Sequence, residues 1–240
     1  MTQRLSNGTL QSLLLTSTLV LSACVSRPPT PDWQVNAQGS MDRSIAAFLE
    51  GNGRVEAAEF ERARSEIART GRIDLMARIE LMRCAGRVAS LVVDSSACPA
   101  FQSLRPDASA PERAYADYLD GRLAPQDVSL LPAQHRATAT ATATATTGDV
   151  PSAPGDAALQ SINDPLARLV AAGVLFQRGR ASPAVISNAV DTASAQGWRR
   201  PLLAWLHVQL RRVEAVGASE EAQRLRRRIA LVEQPGGISK

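Results

Sequence analysis

The sequence predicts an all-α protein, built either as an array of helical hairpins or as an irregular helical bundle. Aromatic residues make up only 4% of the 240 residues, while alanine and arginine are abundant. This composition favours helices packed through small residues over aromatic-rich sheets. Apolar residues recur at helical spacing through most of the chain, and glycine follows many of these segments. Because glycine readily ends a helix, the pattern indicates short helices joined by tight turns.

Five helices are predicted in the N-terminal half. Capping residues, apolar periodicity and the glycines that follow each segment set their boundaries. The helices run from Ser40 or Asp42 to Glu50, from about Val55 to Thr70, over about 72–93, from about Ala110 to Asp120, and over about 125–131. The third helix carries an apolar face that includes Leu81, Cys84 and Val88.

Four helices are predicted in the C-terminal half, where the capping residues are clearer. Asp164, Ser182 and Ser219 stand where a side chain can cap a helix, and proline follows the first two. The helices run from Asp164 to Arg178, from Ser182 to Gly197, from Pro201 to Gly217, and from Ser219 to about Val232.

Between the two halves the chain changes character. Alanine and threonine alternate from Ala137 to Thr146, and glycine and prolines follow. Both alternating residues are small, so the segment would bury too little apolar surface to offset its ordering entropy. We therefore expect a low-complexity linker over 133–157, between helical halves at 41–132 and 158–233, and a tail at 234–240.

Two groups of small and apolar residues stand at the spacing expected of a helical repeat. They are Ala46, Leu49, Gly53 and Ala58 in the first, and Leu210, Gly217 and Ala222 in the second. Gly53 and Gly121 also lie two 34-residue periods apart. The pattern resembles tetratricopeptide repeats, which implies stacked helical hairpins. Arg62 and Arg226 stand where that repeat has large aromatic residues, so the irregular bundle stays open as the alternative.

The first 24 residues have the features of an export leader. Arg4 precedes a mostly apolar stretch from Leu10 to Leu21, which is too short to cross about 30 Å of hydrocarbon as a helix. The stretch ends in Leu-Ser-Ala-Cys at residues 21–24, which closely resembles the lipobox of bacterial lipoproteins. The resemblance implies a signal peptide over 1–23, cleavage before Cys24, and a Cys24 that carries acyl chains such as palmitate.

The residues after Cys24 bear on where the anchor lies. Val25 stands where an aspartate would resemble an inner-membrane retention signal, so the resemblance implies an outer-membrane anchor and a periplasm-facing body. Prolines at 28, 29 and 31 predict an extended tether over 24–40, and Trp33 within it is a candidate for the membrane interface. No other segment approaches the about eighteen apolar residues of a membrane span, so no transmembrane helix is predicted.

Two cysteines remain in the body, Cys84 and Cys98. In an oxidising compartment an even pair indicates a disulfide, and the chain breaks between them at 94–96 in a way that lets the second cysteine fold back. Two free buried thiols are the alternative. The pair forms no CxxC motif and has no histidine nearby, so neither redox catalysis nor a zinc site is expected.

The sequence contains no recognised catalytic, metal or cofactor motif. Its two histidines are His135, beside the linker, and His207, expected at a packed or rim position within an apolar helix. Acidic residues such as Glu56 and Glu59 lie beside arginines at helical spacing and are expected to form solvated ion pairs. We therefore predict a protein that is not an enzyme, with no cofactor, no metal and no evident small-molecule substrate.

Positive charge is concentrated near the C-terminus. The chain has a formal net charge of +4, and residues 199–240 hold nine Lys or Arg against four Asp or Glu. A candidate basic contact face consists of Arg211, Arg212, Arg224, Arg227 and Arg228. Nucleic-acid binding is not expected, because aromatic residues and a reading module are missing. A solvated surface and contact with phosphate-bearing lipid headgroups are the alternatives.

Together these features predict a lipid-anchored periplasmic helical protein that acts as an adaptor or assembly factor for an envelope complex. An enzyme of cell-wall metabolism and a binder of anionic lipid headgroups are the alternatives. A concave groove would favour the adaptor, a deep pocket with convergent acids or His207 would favour the enzyme, and a contiguous arginine face would favour the lipid binder.

Overall fold

The computed structural model describes residues 29–92, 98–143 and 153–234, and every regular element in these ranges is helical. The prediction of an all-α fold is therefore confirmed for the described part of the chain. The predicted signal peptide, Cys24, residues 144–152 of the predicted linker, and residues 235–240 of the predicted tail lie outside it. None of the described helices is long and apolar enough to span a bilayer.

The helices follow one another with short connections. Those before residue 150 are α1 (Asp32–Glu50), α2 (Gly53–Ala68), α3 (Ile73–Ala89), α4 (Pro99–Gln102), α5 (Ala110–Leu119) and α6 (Ala133–Ala143), with 3₁₀-helices at Arg105–Asp107 and Pro125–Leu130. Those after it are α7 (Ala153–Gln160), α8 (Pro165–Gln177), α9 (Pro183–Ala195), α10 (Arg199–Ala215) and α11 (Ser219–Glu233).

Side-chain caps explain several of these boundaries. The Asp164 carboxylate accepts a hydrogen bond from the Ala167 amide at 2.6 Å, and the Ser182 hydroxyl accepts one from the Val185 amide at 3.1 Å. Both bonds satisfy amide groups that the first turn of a helix leaves without a partner. The caps predicted at Asp164 and Ser182 are confirmed, whereas α11 begins at Ser219 itself and no side chain caps it.

The first helix begins at Asp32, so the tether predicted over 24–40 is wrong from that residue onward. Asp32 stands in the first turn, where the helix dipole favours negative charge. Ala37 and Met41 are buried in a small cluster formed by α1, α2 and α3. This burial extends α1 by two turns beyond the start predicted from capping residues, and it places Trp33 within the helix.

The predicted linker over 133–157 is wrong where α6 and α7 occupy it. His135, Thr138 and Ala139 of α6 are all at most 4% exposed. The small side chains let α6 pack closely, and the hydroxyl of Thr142 donates to the Thr138 carbonyl at 2.7 Å, so its polar group is satisfied within the helix. An alternating Ala/Thr segment can therefore form a buried helix when neighbouring helices supply the large apolar groups.

The two predicted helical halves share one main core rather than forming separate bodies. Residues of α3, α5, α8, α9, α10 and α11 belong to a single buried cluster. The Trp205 indole Nε1 donates to the Ala89 carbonyl at 3.0 Å, which joins α10 to the end of α3. In a repeat array each hairpin contacts only its neighbours. The packing of α3 on α8 and of α1 on α10 instead favours the irregular bundle.

Candidate functional site

The described surface contains one extended groove, made of three adjoining hollows along α3. Their volumes are about 290, 420 and 160 Å³. Met82 lines all three hollows, Arg78 lines the first two, and Tyr115 lines the last two. The shared residues show that the hollows are neighbours, and we call the three together the Met82 groove.

The first hollow lies between α1 and α3 and is mainly apolar. Trp33 and Met41 of α1 face Leu75 and Ile79 of α3 across it. Trp33 and Leu75 are half-buried, so part of each remains available to a binding partner. The tryptophan that the sequence suggested for the membrane interface therefore lines the α1 end of the groove.

The second hollow lies between α3 and α5 and has an ion pair at its edge. The Arg78 guanidinium Nη2 lies 3.1 Å from Glu112 Oε1, and the carboxylate is buried while the arginine side chain is 61% exposed. Glu112 also accepts a hydrogen bond from the Ser109 amide at 2.9 Å as part of the α5 capping box. The glutamate is thus fixed by the fold, and Arg78 is an exposed charged group at the edge of this hollow.

The third hollow reaches His135, whose side chain belongs to a buried aromatic and polar cluster. His135 is 1% exposed, and its Nδ1 lies 3.4 Å from the Tyr118 hydroxyl. Burial lowers the pKa of His135 to about 4, against the opposing charge of Asp164. Burial likewise raises the pKa of Tyr115 and of Tyr118. These groups are neutral near pH 7, and Asp164 is already engaged as the cap of α8.

Buried acids also lie between α1, α2 and α3, away from the groove. Glu56, expected to be solvated, is 7% exposed and accepts a hydrogen bond from Arg83 Nε at 2.7 Å. Glu59, also expected to be solvated, is 7% exposed and accepts one from Arg43 Nε at 3.0 Å. The expectation of solvated pairs is therefore wrong for these acids. Each ion pair joins two helices, so the burial of these two carboxylates is accounted for by their role in the fold.

The remaining histidine, His207, is on the surface. Its side chain is 47% exposed, and its Nε2 lies 3.9 Å from Glu233 Oε1. It lines none of the three hollows of the Met82 groove. Among the described residues, no group of three or more His, Cys, Asp or Glu side chains is placed to hold a metal ion.

The two body cysteines lie together. Cys84 of α3 and Cys98, just before α4, are at disulfide distance, with their Cα atoms 5.4 Å apart. Both side chains are buried in the main core, Cys98 completely. They are fourteen positions apart in the sequence, so a bond between them would close a short chain loop.

The five arginines of the candidate basic face have different surroundings in the structure. Arg224 pairs with Glu221, Arg228 Nη2 donates to the Ser194 hydroxyl at 3.1 Å, and Arg212 Nη1 donates to the Ala181 carbonyl at 3.2 Å. Arg211 and Arg227 are exposed and have no partner among the described residues. The five arginines therefore do not act as one free patch, and Arg211 and Arg212 lie together beside a hollow outside the Met82 groove.

Sequence reasoning missed the Met82 groove as a site. Leu75, Ile79 and Met82 follow one another at helical spacing, which predicts an apolar face but not whether another helix covers it. Only the arrangement of the helices around α3 decides that Ile79 is buried while Leu75 and Met82 stay half-buried. No protein family, curated protein or solved structure matches this chain in the comparisons with known proteins.

Proposed function

We propose that this chain is a lipid-anchored periplasmic adaptor at the outer membrane, and that its Met82 groove binds an amphipathic helix of an envelope partner. The open groove of three joined hollows is the observation that carries the proposal. The lipid anchor, the location and the tetratricopeptide resemblance come from the sequence alone and form part of the same proposal.

The character of the groove wall supports protein binding. Methionine is flexible and polarisable, so the half-buried Met82 can adapt to apolar side chains of different shape. Trp33 and Tyr115 add aromatic surface of the kind that dominates binding at interfaces. The exposed Arg78 at the edge supplies a charged group that would orient an acidic residue on the partner.

A helix is the best-matched partner element. The described residues contain no strand, so they offer no sheet edge to which an extended peptide could add. Recognition in the groove must then use side chains. An amphipathic helix presents its apolar anchors about 5.4 Å apart, once per turn, and successive anchors can enter successive hollows.

The polar groups around the groove support binding rather than chemistry. The carboxylates of Glu112 and Asp164 are held by helix capping, and His135 is buried and neutral. A general base would need to reach a substrate proton directly or through one water. These groups instead satisfy the backbone or each other.

The predicted anchor would hold the groove near a membrane. Cys24 is only eight positions before Asp32, the first residue of α1. Eight residues span at most about 28 Å when extended. A lipid on Cys24 would therefore keep the Trp33 end of the groove close to the bilayer surface, where a membrane-associated partner is within reach.

Site-specific photo-crosslinking tests the adaptor role. A photo-reactive amino acid replaces Met82 in the full chain, and a matched chain carries it at Gln223, an exposed position on α11. We expect the Met82 position to capture one envelope protein through an apolar helical segment, located by mass spectrometry of the adduct. Equal capture from both positions, or adducts spread over unrelated segments, would contradict the proposal.

Replacing Cys24 by alanine tests the anchor. We expect the wild-type chain to partition with the membrane and its mature N-terminal peptide to carry the mass of acyl chains. The Cys24→Ala chain should leave the membrane fraction, because several acyl chains at about 0.8 kcal/mol per buried CH₂ provide the attachment. Membrane attachment that persists in the alanine variant would refute lipidation at this residue.

A further inference from the structure

A separate hollow of about 310 Å³ lies where α8 ends against α9 and α10. Its floor is apolar and consists of Phe176, Ile186 and Val208. Arg211 and Arg212 of α10 stand among its lining residues. This arrangement places two arginines beside an apolar cleft. The two arginines that line the first hollow of the Met82 groove, Arg72 and Arg78, differ because they pair with Asp74 and Glu112.

The charges around this hollow are unbalanced. None of the described residues that line it carries a carboxylate. Arg211 is exposed and has no partner in the described part of the chain, and Arg212 gives one nitrogen to the Ala181 carbonyl at 3.2 Å. Glu214, the acidic residue nearest in sequence, lies 2.5 Å from Arg226. Two adjacent guanidinium groups without a neutralising acid favour a bound anion.

We propose that this hollow binds a single-chain amphiphilic anion. The hydrocarbon chain would lie on Phe176, Ile186 and Val208, and the carboxylate or phosphate head would accept hydrogen bonds from Arg211 and Arg212. A guanidinium presents a planar pair of donors that matches both head groups. The volume is at the lower end of the range of about 300–1,000 Å³ for ligand sites, so it suits one chain rather than two.

The ligand class follows from combining the two parts of the site. A free phosphate ion would use the arginines but leave the apolar floor exposed to water. An uncharged alcohol would cover the floor but leave the guanidinium groups without an anion. Only a molecule with both parts satisfies the whole surface, and its source could be a free fatty acid or a phosphate-headed single-chain lipid.

Isothermal titration calorimetry on the full mature chain tests the proposal. The probes are decanoate and decyl phosphate as monomers, inorganic phosphate alone, decanol, and vesicles of mixed zwitterionic and anionic phospholipid. We expect the two amphiphilic anions to bind at least about tenfold more tightly than phosphate or decanol, because each half of the site adds its own contribution. The stronger of the two anions identifies the preferred head group.

Variants separate specific binding from general electrostatics. Arg211→Gln should weaken amphiphile binding by about tenfold, the usual loss for one charge-assisted hydrogen bond. Ala215→Phe should abolish it by filling the hollow from its rim, because Ala215 is exposed and the larger ring needs no core rearrangement. Arg227→Gln removes another exposed arginine, on α11 and outside the hollow, and should leave binding unchanged.

Several outcomes would overturn the proposal. These are the absence of binding by both amphiphilic anions, full affinity in a folded Ala215→Phe chain, and equal losses in the Arg211→Gln and Arg227→Gln chains. Binding to vesicles without binding to monomers would assign the arginines to a membrane contact instead. A brominated decanoate gives an independent readout, because Phe176 packs edge-on against the buried Trp205 with ring centroids 5.7 Å apart. In chains whose Trp33 and Trp198 are replaced by phenylalanine, a bound chain should quench the remaining Trp205 fluorescence, and the added Ala215→Phe change should prevent this quenching.

Discussion

Replacing Gly173 by alanine tests the close crossing of α3 and α8. Both helices run past each other at this residue, and a Cβ added to Gly173 would lie 2.9 Å from Val88 Cγ1 and 3.0 Å from the Val88 carbonyl carbon. It would lie nearer still to the Val88 carbonyl oxygen. These atoms belong to Val88, the next-to-last residue of α3, whose side chain is 0% exposed and packed in the core, so they cannot move aside independently.

Two opposing effects set the expected change in the free energy of unfolding. Alanine is more favourable than glycine inside a helix by about 1 kcal/mol. Overpacking a well-packed core costs about 1–3 kcal/mol, and occasionally more. Because the clash involves backbone atoms, we take the upper end of that range. We therefore expect Gly173→Ala to lower the free energy of unfolding by about 2 kcal/mol.

Gly86→Ala is the matched control on α3. Gly86 is also buried within a helix, but a Cβ there would lie 3.5 Å from Phe48 Cδ1, an ordinary contact. This variant should be neutral or more stable by up to about 1 kcal/mol. Urea unfolding followed by circular dichroism and by Trp205 fluorescence measures both variants. A Gly173→Ala chain as stable as the wild type would refute the close helix crossing.

Three further predictions concern the core. Ala139→Glu should lower the free energy of unfolding by about 3 kcal/mol or more, because it places a charge at a 4% exposed site of α6. The control Ala137→Glu, on the exposed face of the same helix, should change it by less than about 0.5 kcal/mol. Equal effects of the two variants in urea unfolding would support the linker interpretation of this segment. The lowered pKa of His135 means that this side chain binds a proton more readily in the unfolded chain than in the folded one. The contribution of His135 to the free energy of unfolding should therefore be complete above about pH 6.5 and fall by about 3 kcal/mol as the pH drops to 4. A His135→Gln chain whose unfolding free energy has the same slope over that pH range would contradict the assignment of this pH dependence to His135. Cys84 and Cys98 should resist alkylation until the disulfide is reduced, and reduction should lower the free energy of unfolding by about 3 kcal/mol if the bond acts through loop entropy. Alkylation of two thiols in the native, unreduced chain would exclude the disulfide.

Local sequence signals were sufficient for much of the fold. Asp164 and Ser182, each followed by proline, correctly marked the starts of α8 and α9, because capping depends on residues within one turn. Gly217 likewise follows the end of α10 in the left-handed conformation, with φ of 71°. The sequence also brought Cys84 and Cys98 to disulfide distance through helical spacing and a short connection.

The errors share a different physical cause. The start of α1 and the whole of α6 depend on burial against other elements of the fold, which the composition of the segment itself does not reveal. Ala139 and Thr138 are buried although their own side chains are small, because α6 packs within the bundle. Composition alone therefore underestimates the order of a segment whose neighbours provide the apolar surface.

The functional surfaces depend even more strongly on tertiary arrangement. Arg211 and Arg224 look equivalent in a basic sequence, yet one is unpaired beside an apolar hollow and the other pairs with Glu221. Met82 looks like any apolar helical residue, yet it is half-buried at the centre of the groove. Helix packing decides which apolar and charged side chains remain available to a ligand. The periodicity of the sequence does not contain this information.

The affinity of the purified chain for the helical segment captured at Met82 tests the adaptor role most directly. The segment is synthesised as a peptide and titrated against the wild type, Met82→Glu, and Gln223→Glu as the surface control. We expect the wild type and Gln223→Glu to bind alike, and Met82→Glu to bind at least about tenfold more weakly, because the carboxylate would be buried against an apolar partner. Equal affinity of the wild type and Met82→Glu chains, with both folded, would contradict a binding function for the groove.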